Sequence, residues 1–247
     1  MDKYQFLKEE ERLDYTLQTL NEEVLNYIEK RKEIANYILD YRKNFIEEHK
    51  DDEDALMEYF DHERYVKEEY YKQIDKKLME LTKLKETPYF GKVIFSDEDD
   101  CQEEIYVGRY GLTKDATFES IIIDWRAPIA SLFYKGSLGP ATYKTPDGEL
   151  SADILARRQF VIKKGSLQGY FDSEVDVKDE ILQMILSSNS GEKLKDIVMT
   201  IQQEQDDIIR EERMKVVVVN GVAGSGKTTI ALHRVAYLLY NYRQQLG

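Results

Sequence analysis

The first 87 residues contain no glycine and no proline; the earliest of either is Pro88. Little in such a stretch stops a helix, and its richness in Glu, Lys, Leu, Ile and Tyr favours one. Leu13, Leu17, Leu20, Val24, Tyr27, Ile34, Ile38, Tyr41 and Phe45 follow alternating steps of four and three, with Arg31 at the one missing seam position. That heptad pattern predicts a long helix packed along another helix. At 1.5 Å per residue it extends about 60 Å. Continuing the series places Asp52, His62 and Gln73 on the seam, so the phase breaks near residues 47–54. A second stripe follows: Leu56, Tyr59, Val66, Tyr70, Ile74, Leu78, Leu81 and Leu84. The expected structure is an antiparallel coiled-coil hairpin over residues 1–87 with an acidic tip. Asp51, Asp52, Glu53 and Asp54 at that tip suit either a helix cap and solvated turn or a partner contact.

From Pro88 to about Asp172 the pattern changes to short β-type runs. They are Lys92–Phe95, Glu104–Val107, Ser120–Trp125, Ile129–Tyr134, Gln159–Lys163 and Ser166–Phe171, separated by signals such as Pro146-Asp147-Gly148 and Lys164-Gly165. Residues 88–172 are expected to form a small antiparallel β domain. In residues 173–247, Val177, Ile181, Leu182, Ile185 and Leu186 predict one helix, closed by the Ser187–Gly191 stretch. Leu194, Ile197, Val198, Ile201, Ile208 and Ile209 predict another. An apolar strand, Val216–Val219, then precedes a glycine-rich loop and a helix over Thr228–Tyr242. The fold class is therefore α+β: hairpin, β domain, then the beginning of a phosphate-loop α/β domain. With only one clear strand of that last domain present, Val216–Val219 is expected to dock on the β region or to stay without regular order.

Charge and cysteine usage narrow the function. The net charge of −13 repels duplex DNA unless basic residues cluster, and favours a partner with a basic surface or a metal-bearing cavity. Cys101 is the sole cysteine, so no internal disulfide forms, and its acidic neighbours disfavour a reactive thiolate. No secretory leader and no membrane-length apolar run occur, which predicts a soluble cytoplasmic protein.

Gly221-Val222-Ala223-Gly224-Ser225-Gly226-Lys227-Thr228 matches G-x-x-x-x-G-K-[ST]. Glycines let the backbone turn so that N–H groups face phosphate oxygens, and the following helix N-terminus adds its positive end. Lys227 can reach the outer phosphates, and Thr228 offers a hydroxyl to Mg²⁺. These two are the candidate catalytic residues; Gly221 to Thr229 form the candidate ATP-binding segment, Thr229 included.

The residues around the loop resemble the superfamily 1 helicase-like ATPases of the UvrD/Rep group. Thr200-Ile201-Gln202-Gln203-Glu204-Gln205 fits that family's adenine-reading segment, and Leu232–Leu239 looks like its post-loop helix. The resemblance implies that Gln205 reads adenine. The whole chain is similar to the HelD-type helicase-like factors. Pro88-Tyr89-Phe90-Gly91, Ile105-Tyr106-Val107-Gly108, Asp124-Trp125-Arg126-Ala127-Pro128-Ile129 and Leu155-Ala156-Arg157-Arg158-Gln159-Phe160 carry it, with Pro140, Tyr143 and Pro146.

This second resemblance implies an ATP-dependent factor that binds bacterial RNA polymerase, enters its secondary channel with the hairpin and helps free it from nucleic acid. DNA contact falls mainly to domains further downstream. A monomer is expected, although a helical hairpin can also dimerise through its seam. Hydrolysis in the related families also needs an acidic Mg²⁺ motif and arginines that lie downstream. The chain is thus expected to be the N-terminal part of a longer ATPase and inactive alone. The alternative is a conventional UvrD/Rep-type DNA helicase with an N-terminal extension. Trp125 is expected to be core, and Arg126 to pair with a neighbouring acid.

Overall fold

The computed structural model describes residues 3–48, 62–115, 117–135, 137–145, 148–172, 203–212, 214, 216–222 and 224–243. Helix α1 (Lys3–Glu48) is 46 residues long, about 70 Å at the standard rise. Helix α2 (His62–Leu84) packs along it in the opposite sense: Arg31 pairs with Asp75 at 2.7 Å, and Arg42, further on, pairs with Glu68, further back. Every apolar seam position from Leu13 to Phe45 is buried or half-buried, whereas Leu25, Ile28, Leu39 and Ile46 are exposed. On α2, Ile74, Leu81 and Leu84 are buried, but Val66 and Tyr70 are exposed despite belonging to the expected stripe. The connection between the helices, with Leu56, Tyr59 and the acidic quartet, lies outside the described residues.

Seven strands form one sheet: β1 (Gly91–Ser96), β2 (Gln102–Gly108), β3 (Leu112–Lys114), β4 (Glu119–Asp124), β5 (Gly139–Thr145), β6 (Gly148–Lys163) and β7 (Ser166–Asp172). The order is β3-β4-β2-β1-β6-β5. Strand β6 pairs with β1 over its middle, while β5 and β7 follow one another along its opposite edge. The sheet is mixed rather than antiparallel, because β4 returns between β3 and β2 and runs parallel to β2. The β4–β2 contact is tight at Gly108, where a Cβ would lie 2.4 Å from the Pro88 carbonyl oxygen and 2.6 Å from Ile122. Between β6 and β7, Lys164 and Gly165 both have positive φ, as a two-residue hairpin turn of matching twist requires.

Several expectations need correction. Ile129–Tyr134 is not a strand: Pro128–Ala130 forms a 3₁₀ turn that leads into α3 (Ser131–Tyr134). Proline's fixed φ starts a helix there, and a short apolar run alone does not separate strand from buried helix. Strands β3 and β5, and β6 before Gln159, were not expected. In β5, Gly139-Pro140 reads as a breaker, yet an edge strand accepts proline. Val216–Val219 forms no strand; Val216 is 78% exposed and Val218 87% exposed. A strand exists through its ladder, and among the described residues no sheet edge pairs with this segment. The predicted helix over 177–186, the Ser187–Gly191 break and residues 194–201 of the next predicted helix lie outside the described residues; that helix's final part appears as α4 (Gln203–Arg210). Helix α5 spans Lys227–Asn241.

Of three apolar clusters among the described residues, two join the long helices and the C-terminal helices to the sheet region. Leu13, Leu20, Leu81 and Leu84 at the base of the helix pair pack with Tyr89, Tyr106, Ile122 and Phe160 of the sheet region. A second cluster joins Phe90, Val107, Trp125 and Tyr134 to Ile209 of α4 and to Ile230 and Tyr237 of α5.

Candidate functional site

The candidate phosphate loop bends where its glycines allow. Gly224 and Gly226 take φ of +83° and +80°, a region that disfavours side chains, and Gly226 caps α5. A Cβ on Gly221 would sit 2.7 Å from Ser225 Oγ. Asn220 Oδ1 accepts from Gly221 N at 2.9 Å, and Val222 O accepts from Ser225 N at 3.3 Å. Lys227 opens α5 and its ammonium donates back across the loop to Gly221 O (2.9 Å) and Val222 O (2.7 Å). Thr228 is exposed, Thr229 is half-buried, and Val222 and Ser225 are exposed; Ala223 lies outside the described residues. The loop is thus an open turn with a lysine folded over it at a helix N-terminus, a donor set suited to phosphate. The exposed hydroxyl of Thr228 also suits a phosphate-bound Mg²⁺. Among the described residues there is no group of three His, Cys, Asp or Glu that could hold a metal by itself.

Gln205 is half-buried on α4. Ile208 and Ile209 follow it by one helical turn, so it shares the face that packs on α5. Asp206 is buried, and burial raises its pKa above the usual carboxylate value even though Arg210 opposes the shift. Arg210 Nε donates to both Asp206 oxygens, at 2.7 and 2.9 Å. Its Nη atoms donate to Trp125 O (2.6 Å) and Ala127 O (3.2 Å). From α5, Arg234 donates to Ile208 O (2.8 Å) and Ile209 O (3.3 Å), carbonyls left without helical partners at the end of α4. Asn241 donates to Arg126 O at 3.2 Å.

The Asp124–Pro128 segment is the bracket that receives these contacts. Trp125 is buried and meets His233 of α5 edge-on at 5.3 Å. Arg126 pairs with Asp124 through two hydrogen bonds, 2.8 and 2.6 Å, and lies over Tyr240. The expected core role of Trp125 and acid pairing of Arg126 both hold. Burial, then the charge of Arg109, lowers the pKa of His233. No motif marks Arg210, which ends an isoleucine run, or Asn241, and the Leu232–Leu239 segment that contains Arg234 gives no sign of its contacts. Cys101 is exposed in a turn where Asp97 Oδ1 accepts from Asp99 N and Cys101 N. Asp51, Asp52, Glu53 and Asp54 lie outside the described residues. No helix among those described is long and apolar enough to cross a membrane.

The architecture defines an α+β protein in which a long helix pair and a mixed sheet precede a glycine-bent loop. The family model for the N-terminal domain of DNA helicase IV HelD matches residues 6–184. The chain belongs to that family, which relates it to helicases. No curated protein matched the chain.

Proposed function

We propose that this chain is the N-terminal part of an ATP-dependent helicase-like factor that binds bacterial RNA polymerase and helps release it from nucleic acid. The family membership joined to the Gly221–Thr228 loop carries the reading. Lys227 would exchange the loop carbonyls for the outer phosphates of ATP, and Thr228 would hold Mg²⁺ through its hydroxyl. The metal supplies charge neutralisation on the phosphates. Gln205 would select adenine, since its amide matches a neighbouring donor and acceptor together.

The helix pair supports the docking half of the proposal. Sheet contacts reach along α1 to Lys30, which pairs with Asp115 at 2.7 Å. Beyond it, Arg31 and Arg42 pair with α2. About 27 Å of α1 therefore runs on past Lys30, and the acidic Asp51–Asp54 quartet follows α1 in the sequence. A long helical arm followed in the chain by an acidic segment suits a basic channel that leads to bound Mg²⁺.

Two measurements test the reading. In the full-length protein, Lys227→Ala lowers ATP affinity and turnover at least tenfold while leaving the melting temperature unchanged, as expected for an exposed loop. Retained hydrolysis rejects the ATPase. Co-elution with core RNA polymerase, lost when Asp51, Asp52, Glu53 and Asp54 become Lys, supports a docking arm. No co-elution by the unaltered protein rejects polymerase docking and favours the conventional helicase.

A further inference from the structure

The described part of helix α4, Gln203–Arg210, is held through Ile209 in the apolar cluster and through the side chains of Arg210 and Arg234. Arg210 ties it to the turn that follows β4. Arg210 shares its Nε–H between the two carboxylate oxygens of Asp206, the residue next to Gln205, and donates from Nη1 to the Ala127 carbonyl and from Nη2 to the Trp125 carbonyl. The guanidinium lies between the rings of Tyr134 (5.6 Å) and Tyr237 (5.2 Å). Arg210 and Asp206 are both largely shielded from water, 11% and 7% exposed at the side chain, so their ion pair is little screened. Arg234 completes the frame by linking the α4 carbonyls to α5, the helix that Lys227 begins.

We infer that Arg210 is a positioning residue for base selection: by fixing α4 to the Trp125–Ala127 turn, it makes the sheet region part of the device that distinguishes ATP from GTP. This rests on Gln205 being the adenine reader. Adenine presents an amino donor beside a ring-nitrogen acceptor, and an amide matches both. Guanine presents two acceptors along the same edge, and one amide has only one donor end to offer. The discrimination is lost when the amide drifts from the base edge, whereas phosphate binding by the loop survives such drift. Arg210 therefore acts on the ratio of the two nucleotides rather than on both equally.

The test is fluorescence titration of full-length protein with labelled ATP and labelled GTP, for the unaltered protein, Gln205→Ala, Arg210→Ala and Arg210→Lys. Gln205→Ala is expected to abolish the ATP preference. Arg210→Ala is expected to weaken ATP about tenfold, the scale of charge-assisted hydrogen bonds, with GTP within about twofold. Arg210→Lys keeps the charge but not the planar guanidinium that reaches Asp206, Trp125 and Ala127 together, and is expected to weaken ATP by about threefold. Equal weakening of both nucleotides in Arg210→Ala overturns the inference, because a general structural defect does that. If Arg210→Ala fails to fold, Arg210→Lys decides: an unchanged ratio overturns the inference. If Gln205→Ala keeps the preference, or the unaltered protein has none, the adenine reading itself falls and this inference with it. If Gln205→Ala loses the preference and the Arg210 variants keep it, only the positioning role falls.

Discussion

The two ends of the molecule are built on opposite terms. At the base of the helix pair, Glu9 is 1% exposed and its carboxylate is shared by Lys92 Nζ (3.2 Å), Arg158 Nη1 (2.9 Å) and the Tyr106 hydroxyl (3.1 Å). Lys92 also pairs with Glu104, and Arg158 with Asp172. At the loop, Val222 and Ser225 are exposed, Lys227 bonds to nearby backbone, and Val216 and Val218 before it face solvent. The first region is held by long-range pairs that no spacing in the sequence marks, although Tyr106 and Arg158 lie in stretches that carry the family resemblance. The second is fully marked by motif and lightly packed. Buried charges need partners to offset lost hydration, whereas a ligand loop needs open donors. The contrast separates residues that keep the fold from residues that would meet a ligand.

The largest effect is expected at the buried network. Glu9→Ala leaves Lys92 and Arg158 without their shared partner, and costs about 3–5 kcal/mol. Urea denaturation should show a lower midpoint with an unchanged slope. A loss below about 1 kcal/mol would erase the difference drawn between the two ends.

The interface between them gives a smaller, pH-dependent effect. Burial, with Arg109, depresses the pKa of His233 in the folded state. Between the unfolded value of about 6.5 and the lower folded value, the unfolded chain binds more protons. Stability therefore rises with pH across that window and falls on acidification through it. His233→Phe should flatten the fall seen on acidification from about pH 7 to about pH 5 in thermal melts. The same slope in both proteins would mean that this contact does not govern the junction.

The smallest effect is expected along the arm. Lys30 and Asp115 form a 2.7 Å pair, but their side chains are 40% and 41% exposed. Lys30→Ala should cost about 0.2–1 kcal/mol, reduced further by salt. A loss as large as that of Glu9→Ala would show that α1 is fixed along its length rather than at its base.

Some of this was legible in the residues. The seam of α1 follows from spacing, because one buried face of a helix repeats every three to four residues whatever it packs on. The Lys164-Gly165 turn and the positive-φ glycines of the loop follow from local sterics. Other features were hidden by local ambiguity. Ile129–Tyr134 carries an apolar run that suits strand or helix, and Pro128 settled it as a helix start.

By itself, the sequence determined the breaker-free helix α1, the Lys164-Gly165 turn and the glycine bends of the loop, since each depends on neighbours in the chain. Only the tertiary structure decided that β4 runs parallel to β2, that Glu9 meets Lys92 and Arg158, and that Arg210 reaches Trp125 and Ala127. The side-chain pairings join residues 83 to 149 positions apart, and the strand direction depends on which strand lies beside which. Local spacing carries no record of them, because they are fixed by closure of the sheet and burial of its faces.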